Sequence, residues 1–189
     1  MEYMVDLETI STASNASIVS IGVVAFDSTL PDGKEIVATA KWNTIPDKAG
    51  EITYGTFMWW LDQSKEAQDS LKAPKPIPLI TALENFRLFV TTNGLITKIW
   101  SHGSDFDLVI LANAFKRLFP DDGPPWTYKE PKDTRTLFEL MGISVEKTGI
   151  QHDALQDALN QTYAVIKAEK AFALMLAASA VANTPTTGN

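Results

Sequence analysis

A mixed β-sheet flanked by helices is the architecture this sequence predicts, and three observations predict it. Strand-like segments come first and in close succession, as an antiparallel meander requires. Helical periodicities then alternate with a further short strand-like segment that would pair in parallel. No internal repeat or second apolar unit follows, so the 189 residues are read as one α/β domain over residues 1–182, with a frayed polar tail over 183–189.

Each element has its own warrant. Tyr3 to Glu8 reads as a strand, Ile18 to Phe26 as a second rich in Ile and Val, and Ile36 to Ile45 as a third. Leu30-Pro31-Asp32-Gly33-Lys34 places proline and glycine as turn formers between the second and third. Thr56 to Leu71 carries Phe57, Trp60 and Leu61 at helical spacing, with a break near Gln63-Ser64. Pro74, Pro76 and Pro78 make a stiff connector. Leu83, Phe86 and Val90 recur at three and four within a helix from Ile80 to Val90, stopped near Asn93-Gly94. Lys98 to Ser101 is short and β-like, and Asp105 to Phe119 is helical with Leu108, Leu111, Ala112 and Phe115 on one side. Pro120 to Pro131 is proline-rich and reads as a loop. Thr134 to Met141 is a short helix ended by Gly142, and Ala154 to about Ala182 a long Ala-rich one.

Composition narrows the function classes. There are no cysteines, which excludes disulfides, thiolate metal sites and cysteine nucleophiles. The sequence has no apolar run long enough to span a membrane and no signal-peptide pattern, so a cytoplasmic protein is expected. A net charge of −7 argues against a protein that coats long stretches of nucleic acid. An enzyme gripping only a few terminal nucleotides needs less basic surface, and a carboxylate-rich metal site would account for part of the excess.

Three short segments could carry chemistry. Asp6-Leu7-Glu8 places two carboxylates two apart on a strand, where alternation points both to one face. With 13 Asp and 10 Glu, one Asp-x-Glu is expected by chance, and this is the sole instance. His102-Gly103-Ser104-Asp105-Phe106-Asp107 joins a strand to a helix. Its acids could reach the mouth of the sheet, or Ser104 and Asp107 could form a capping box. Gly149-Ile150-Gln151-His152-Asp153-Ala154-Leu155-Gln156-Asp157 leads into the last helix. His152 and Asp157 would stand about 140° apart on an ideal helix, so they share a site only if His152 lies in a non-helical entry. Otherwise His152 is a polar helix-start residue, and His102 with Asp107 shows the same spacing.

Taken together and in this order, the segments resemble the three motifs of the DEDDh 3′→5′ exonucleases, a family of the ribonuclease-H-like superfamily. Thr9 follows the glutamate as in the family, Phe106-Asp107 is similar to the aromatic–Asp pair of the second motif, and His152-Asp153-Ala154-Leu155-Gln156-Asp157-Ala158 resembles the third. Trp59-Trp60 and Lys132-Asp133-Thr134-Arg135-Thr136-Leu137 are similar to segments of the phage and bacterial branch. The likeness spans about residues 3–165. One departure stands upstream of the second motif, where the family's asparagine is replaced by His102-Gly103.

The resemblance implies a ribonuclease-H-like mixed sheet and a hydrolase that shortens single-stranded DNA or RNA from the 3′ end, releasing nucleoside 5′-monophosphates. It implies two Mg²⁺ or Mn²⁺ ions held by Asp6, Glu8, Asp107 and Asp157, with His152 as general base. Leu7, Thr9, Trp60, Phe106 and Arg135 are the implied substrate contacts. Adjacent tryptophans on a helix point apart, so either Trp59 or Trp60 is expected in the core; the basic Lys129, Lys132 and Arg135 reach phosphates or form a solvated patch. A catalytically silent nucleic-acid-binding module and a ribonuclease-H-type endonuclease are the rival readings, and a homodimer is compatible with the sequence.

Overall fold

The protein's structure, a computed structural model, describes residues 1–72 and 75–182. Pro74 of the expected connector and the expected tail over 183–189 lie outside the described residues. The chain runs β1 (Glu2–Thr9), β2 (Ile18–Phe26), β3 (Ile36–Ile45), α1 (Tyr54–Leu61), α2 (Lys65–Leu71), β4 (Ile77–Pro78), α3 (Leu79–Asn93), β5 (Lys98–Ser101), α4 (Asp107–Leu118), β6 (Pro131–Asp133), α5 (Thr134–Met141) and α6 (Ala154–Ala182). The six strands lie in the order β4-β3-β2-β1-β5-β6. β1, β2 and β3 form the antiparallel meander, and β1–β5, β5–β6 and β3–β4 pair in parallel. This is the mixed, helix-flanked sheet that the sequence predicts.

Three elements depart from the reading above. The helical stretch begins at Tyr54 rather than Thr56; its expected break near Gln63-Ser64 is present, and there Ser64 caps α2 by accepting the Ala67 N–H at 3.2 Å. Ile77–Pro78 adds a two-residue edge strand, and the proline-rich loop gives way to β6 at Pro131. Both strands begin or end on proline, which an edge tolerates since one side of the strand needs no donor.

Alternation along β1 decides what each side chain meets. Tyr3, Val5 and Leu7, with Ile21, Val23 and Ala25 of β2, pack on Leu83 and Phe86 of α3 and Leu111 and Phe115 of α4. Phe86 and Phe115 are fully buried, worth roughly 1.5–3 kcal/mol each by burial. The opposite face, with Met4, Val24, Phe26 and Trp100, packs on Phe138 of α5 and on Ala158 and Val165 of α6. Asp6 and Glu8 continue the Met4 series, so both acids emerge on the α6 side near the end of β1.

α6 comes unusually close to the sheet there. Asp6 of β1, Gly22 of β2 and Lys41 of β3 form one row across the three strands. A Cβ on Gly22 would lie 2.1 Å from the Ala154 carbonyl oxygen, so only glycine admits the first turn of α6 at this height. At its other end α6 leaves the sheet, and Phe172, Leu174, Met175 and Leu176 are exposed. Among the described residues no helix is long and apolar enough to cross a membrane.

Candidate active site

Three chain segments deliver acids to one place, each by a distinct local device. β1 delivers Asp6 and Glu8; Asp6 Oδ1 accepts from Gln161 Nε2 of α6 at 2.9 Å, and Glu8 is 7% exposed. α4 delivers Asp107, its first residue, and Asp107 Oδ1 accepts the Leu7 N–H at 3.0 Å. That bond ties the start of α4 to β1. Phe106, not Ser104, occupies the cap position of α4, and no side chain caps it. The capping-box alternative for Ser104 and Asp107 is therefore replaced by a cross-element contact.

α6 delivers Asp157, and a left-handed turn delivers His152. His152 is the one non-glycine residue with positive φ, at 60°, among the described residues. Such a conformation costs on the order of 1 kcal/mol and must be held by its surroundings. The His152 N–H donates to Asp157 Oδ2 at 2.9 Å, and Asp153 caps the helix by accepting from the N–H groups of Leu155 and Gln156. The turn removes the 140° obstacle: ligand atoms of Glu8, His152 and Asp157 all lie within 4.8 Å of one another.

The electrostatics show how tightly the acids are gathered. Burial, then Asp107 and Glu8, push the Asp6 carboxyl well above its ordinary range, and the Gln161 amide partly offsets this. Burial, then Asp157 and Asp107, push Glu8 up to about 8, with Lys41 pulling the other way. Asp107 is raised to about 7 by burial, against the Leu7 N–H that favours its charged form. Burial raises Asp157 as well, opposed by the His152 N–H. Neighbouring like charges and low exposure act in the same direction on all four.

A cleft of about 390 Å³ opens beside the acids, lined by Leu7, Glu8, Thr9, Thr12, Trp59, Trp60 and Phe106 among others. Trp60 is 6% exposed and donates its indole N–H to the Thr9 carbonyl at 2.9 Å, so it supports the strand end from within the core. Trp59 is 43% exposed, and its ring meets the His152 imidazole edge to face at 4.9 Å. The Thr9 hydroxyl donates to the Ser11 carbonyl at 2.7 Å. Arg135 is exposed and lies against Gly103, close enough to favour the charged form of Asp107. Lys132 is turned onto the Lys129 and Pro131 carbonyls. His102 lines a separate pocket with Asp6 and Asp157, its Nδ1 2.9 Å from the Thr134 hydroxyl, and burial and Arg135 hold it below its ordinary pKa.

Sequence reasoning did not single out Gly22, Lys41, Ser70 or Gln161, nor a role for Asp153. Gln161 had a signal, since it stands four residues after Asp157 and so on the same helix face. Gly22 and Lys41 had none, because only strand register puts them beside Asp6.

Residues 1–168 match the Rv2179c-like family, described as a 3′-5′ exoribonuclease domain. The chain belongs to this family. By that family's description the protein is a 3′→5′ exonuclease. An exodeoxyribonuclease of Enterobacteria phage T4 is 22% identical over an alignment covering 82% of this chain and 83% of that protein. Among solved structures, the nuclease domain of 3′hExo, a DEDDh family member bound to rAMP, is 16% identical with a TM-score of 0.60, covering 89% of this chain and 91% of that one. Exonuclease X in complex with 5′ overhanging duplex DNA is 17% identical with a TM-score of 0.51, covering 90% of this chain and 92% of that one. E. coli Exonuclease I in complex with a dT13 oligonucleotide is 15% identical with a TM-score of 0.55, covering 89% of this chain and 40% of that one. At such identities the structures speak for the fold, which is ribonuclease-H-like.

Proposed function

We propose that this exonuclease removes nucleotides one at a time from the 3′ ends of single-stranded DNA or RNA, releasing nucleoside 5′-monophosphates. Asp6, Glu8, Asp107 and Asp157 hold two Mg²⁺ or Mn²⁺ ions in this reading, and His152 is the general base. The observation that carries it is the meeting of four acids from β1, α4 and α6, whose carboxyls are all raised by burial, Asp6 and Glu8 also by the charges of the others.

The donor set suits hard divalent cations, which take carboxylate oxygen ligands. Gathering four acids is costly without positive charge, and Lys41 is the one cation among the main influences on Glu8. Gln161 Oε1 is buried with no hydrogen-bond partner among the described residues, a further oxygen beside Asp6. Two such ions, when bound, stabilise the attacking and leaving oxygens of an in-line displacement at phosphorus.

The protein's own groups do the rest. The cleft beside Leu7, Thr9 and Phe106 seats the terminal nucleoside, with the exposed Trp59 face available to stack on its base. His152 accepts the proton of the attacking water, from a position within 4.8 Å of the Glu8 and Asp157 ligand atoms. Arg135, exposed on the Asp107 side, approaches a phosphate of the strand. The test is nucleotide release by purified Asp6→Asn and Asp157→Asn. Both should be inactive with unchanged circular dichroism, and a fully active Asp157→Asn would contradict the ligand set.

A further inference from the structure

The strained turn that carries His152 is held from outside the matched motifs, and the holding residues form a continuous path. On β3, Lys41 makes an ion pair with Asp153 at 2.6 Å; the two side chains are 20% and 21% exposed. The same ammonium donates to the Ser70 carbonyl at the end of α2 at 3.3 Å, and Asn43 Nδ2 donates to that carbonyl at 2.7 Å. The Ser70 hydroxyl lies 3.0 Å from the His152 carbonyl and 2.8 Å from the Ala67 carbonyl, so its one proton is shared between the turn and α2. Asp153 in turn caps α6. Thus Lys41 grips the residue after His152 directly and the His152 backbone through Ser70. It stands in the same cross-strand row as Asp6 and Gly22, so the β-sheet that fixes Asp6 also fixes the support of the base.

We propose that Lys41 is a positioning residue for His152, acting through Asp153 and Ser70 to hold the left-handed turn that aims the imidazole at Glu8 and Asp157. The inference rests on His152 being the general base. A residue with positive φ outside glycine relaxes to ordinary backbone once its supports are cut. Cutting them swings the ring away from the acids while the cleft residues of β1, Leu7 and Thr9, and Phe106 beside them stay in place. The loss therefore falls on kcat and leaves KM in place.

The test is a double-mutant cycle on a 5′-labelled oligonucleotide at saturating Mg²⁺, with melting temperatures recorded for every variant. Lys41→Met should lower kcat by about 10- to 100-fold with KM changed less than about threefold. Ser70→Ala, which leaves the Lys41 charge in place, should lower kcat in the same way but less, and Lys41→Arg should restore most of the rate. In a His152→Ala background, Lys41→Met should cost nothing further. Equal losses in both backgrounds would overturn the inference alone, since Lys41 would then act on the acids by its charge. A normal rate for His152→Ala itself would overturn the base assignment, and the inference with it.

Discussion

Glu8→Gln should stabilise the metal-free protein at pH 8 and do little at pH 5. The Glu8 carboxyl, 7% exposed, is raised from an ordinary 4.5 to about 8 by burial and by Asp157 and Asp107. The unfolded chain releases this proton near 4.5, whereas the folded protein keeps it until about 8. The contribution to stability is thus fully present below the unfolded value and is lost as pH rises through the folded one. Between pH 5 and pH 8 an isolated group with this shift would cost on the order of 3 kcal/mol, at about 1.4 kcal/mol per pKa unit. The neighbouring acids share the repulsion, so on the order of 1–3 kcal/mol should be recovered by the neutral amide. For a chain of this length that is a rise in Tm of roughly 2–12 °C. Thermal melts of wild type and Glu8→Gln in EDTA at both pH values measure it. Added Mg²⁺ should raise the wild-type Tm at pH 8 by more than that of the variant, because binding to the folded state alone stabilises it. A Glu8→Gln protein destabilised at pH 8, or shifted equally at both pH values, would refute the reasoning.

Three further outcomes are expected. His152→Ala should lower turnover by roughly 10²–10⁴ while Mn²⁺ binding by calorimetry is kept, and His102→Ala should do much less; the reverse order would mean that the wrong histidine is assigned. Gly22→Ala should be among the most damaging single substitutions, costing several kcal/mol in chemical denaturation, because its Cβ would meet the Ala154 carbonyl at 2.1 Å; a near-native midpoint would contradict the close approach of α6. Trp59→Ala should raise KM on short oligonucleotides by about 5- to 50-fold, the worth of one stacked base, and an unchanged KM would remove Trp59 from the cleft.

The fold was largely legible because its elements announce themselves locally. β1, β2 and β3 show β-branched and aromatic enrichment, and α3 and α4 show clear apolar spacing. The two strands that escaped, Ile77–Pro78 and Pro131–Asp133, are too short and proline-bounded to carry a periodicity; their partners make them strands. The site was legible in part for a similar reason. Asp6 and Glu8 follow from alternation, and His152 and Asp157 from their motif, but the left-handed turn at His152 depends on contacts far away in sequence. Taken alone, Asp107 reads first as a capping acid, and its bond to the Leu7 N–H, a tertiary contact, is what ties it to β1 instead. Gly22 and Lys41 could not be read at all, since cross-strand register is a tertiary property.

The central claim is a 3′-end-dependent, divalent-metal-dependent hydrolysis at the Asp6, Glu8, Asp107 and Asp157 cluster. Time courses on matched 5′-labelled linear DNA and RNA strands, with a circular single strand and a 3′-blocked strand alongside, test it most directly. Linear strands should shorten stepwise from the 3′ end in Mg²⁺ or Mn²⁺ and not in EDTA, while circular and blocked strands survive. Cleavage of the circle by wild type, lost in Asp6→Asn, would instead make the site an endonuclease. No cleavage of any strand with metal present would make the protein a silent binding module.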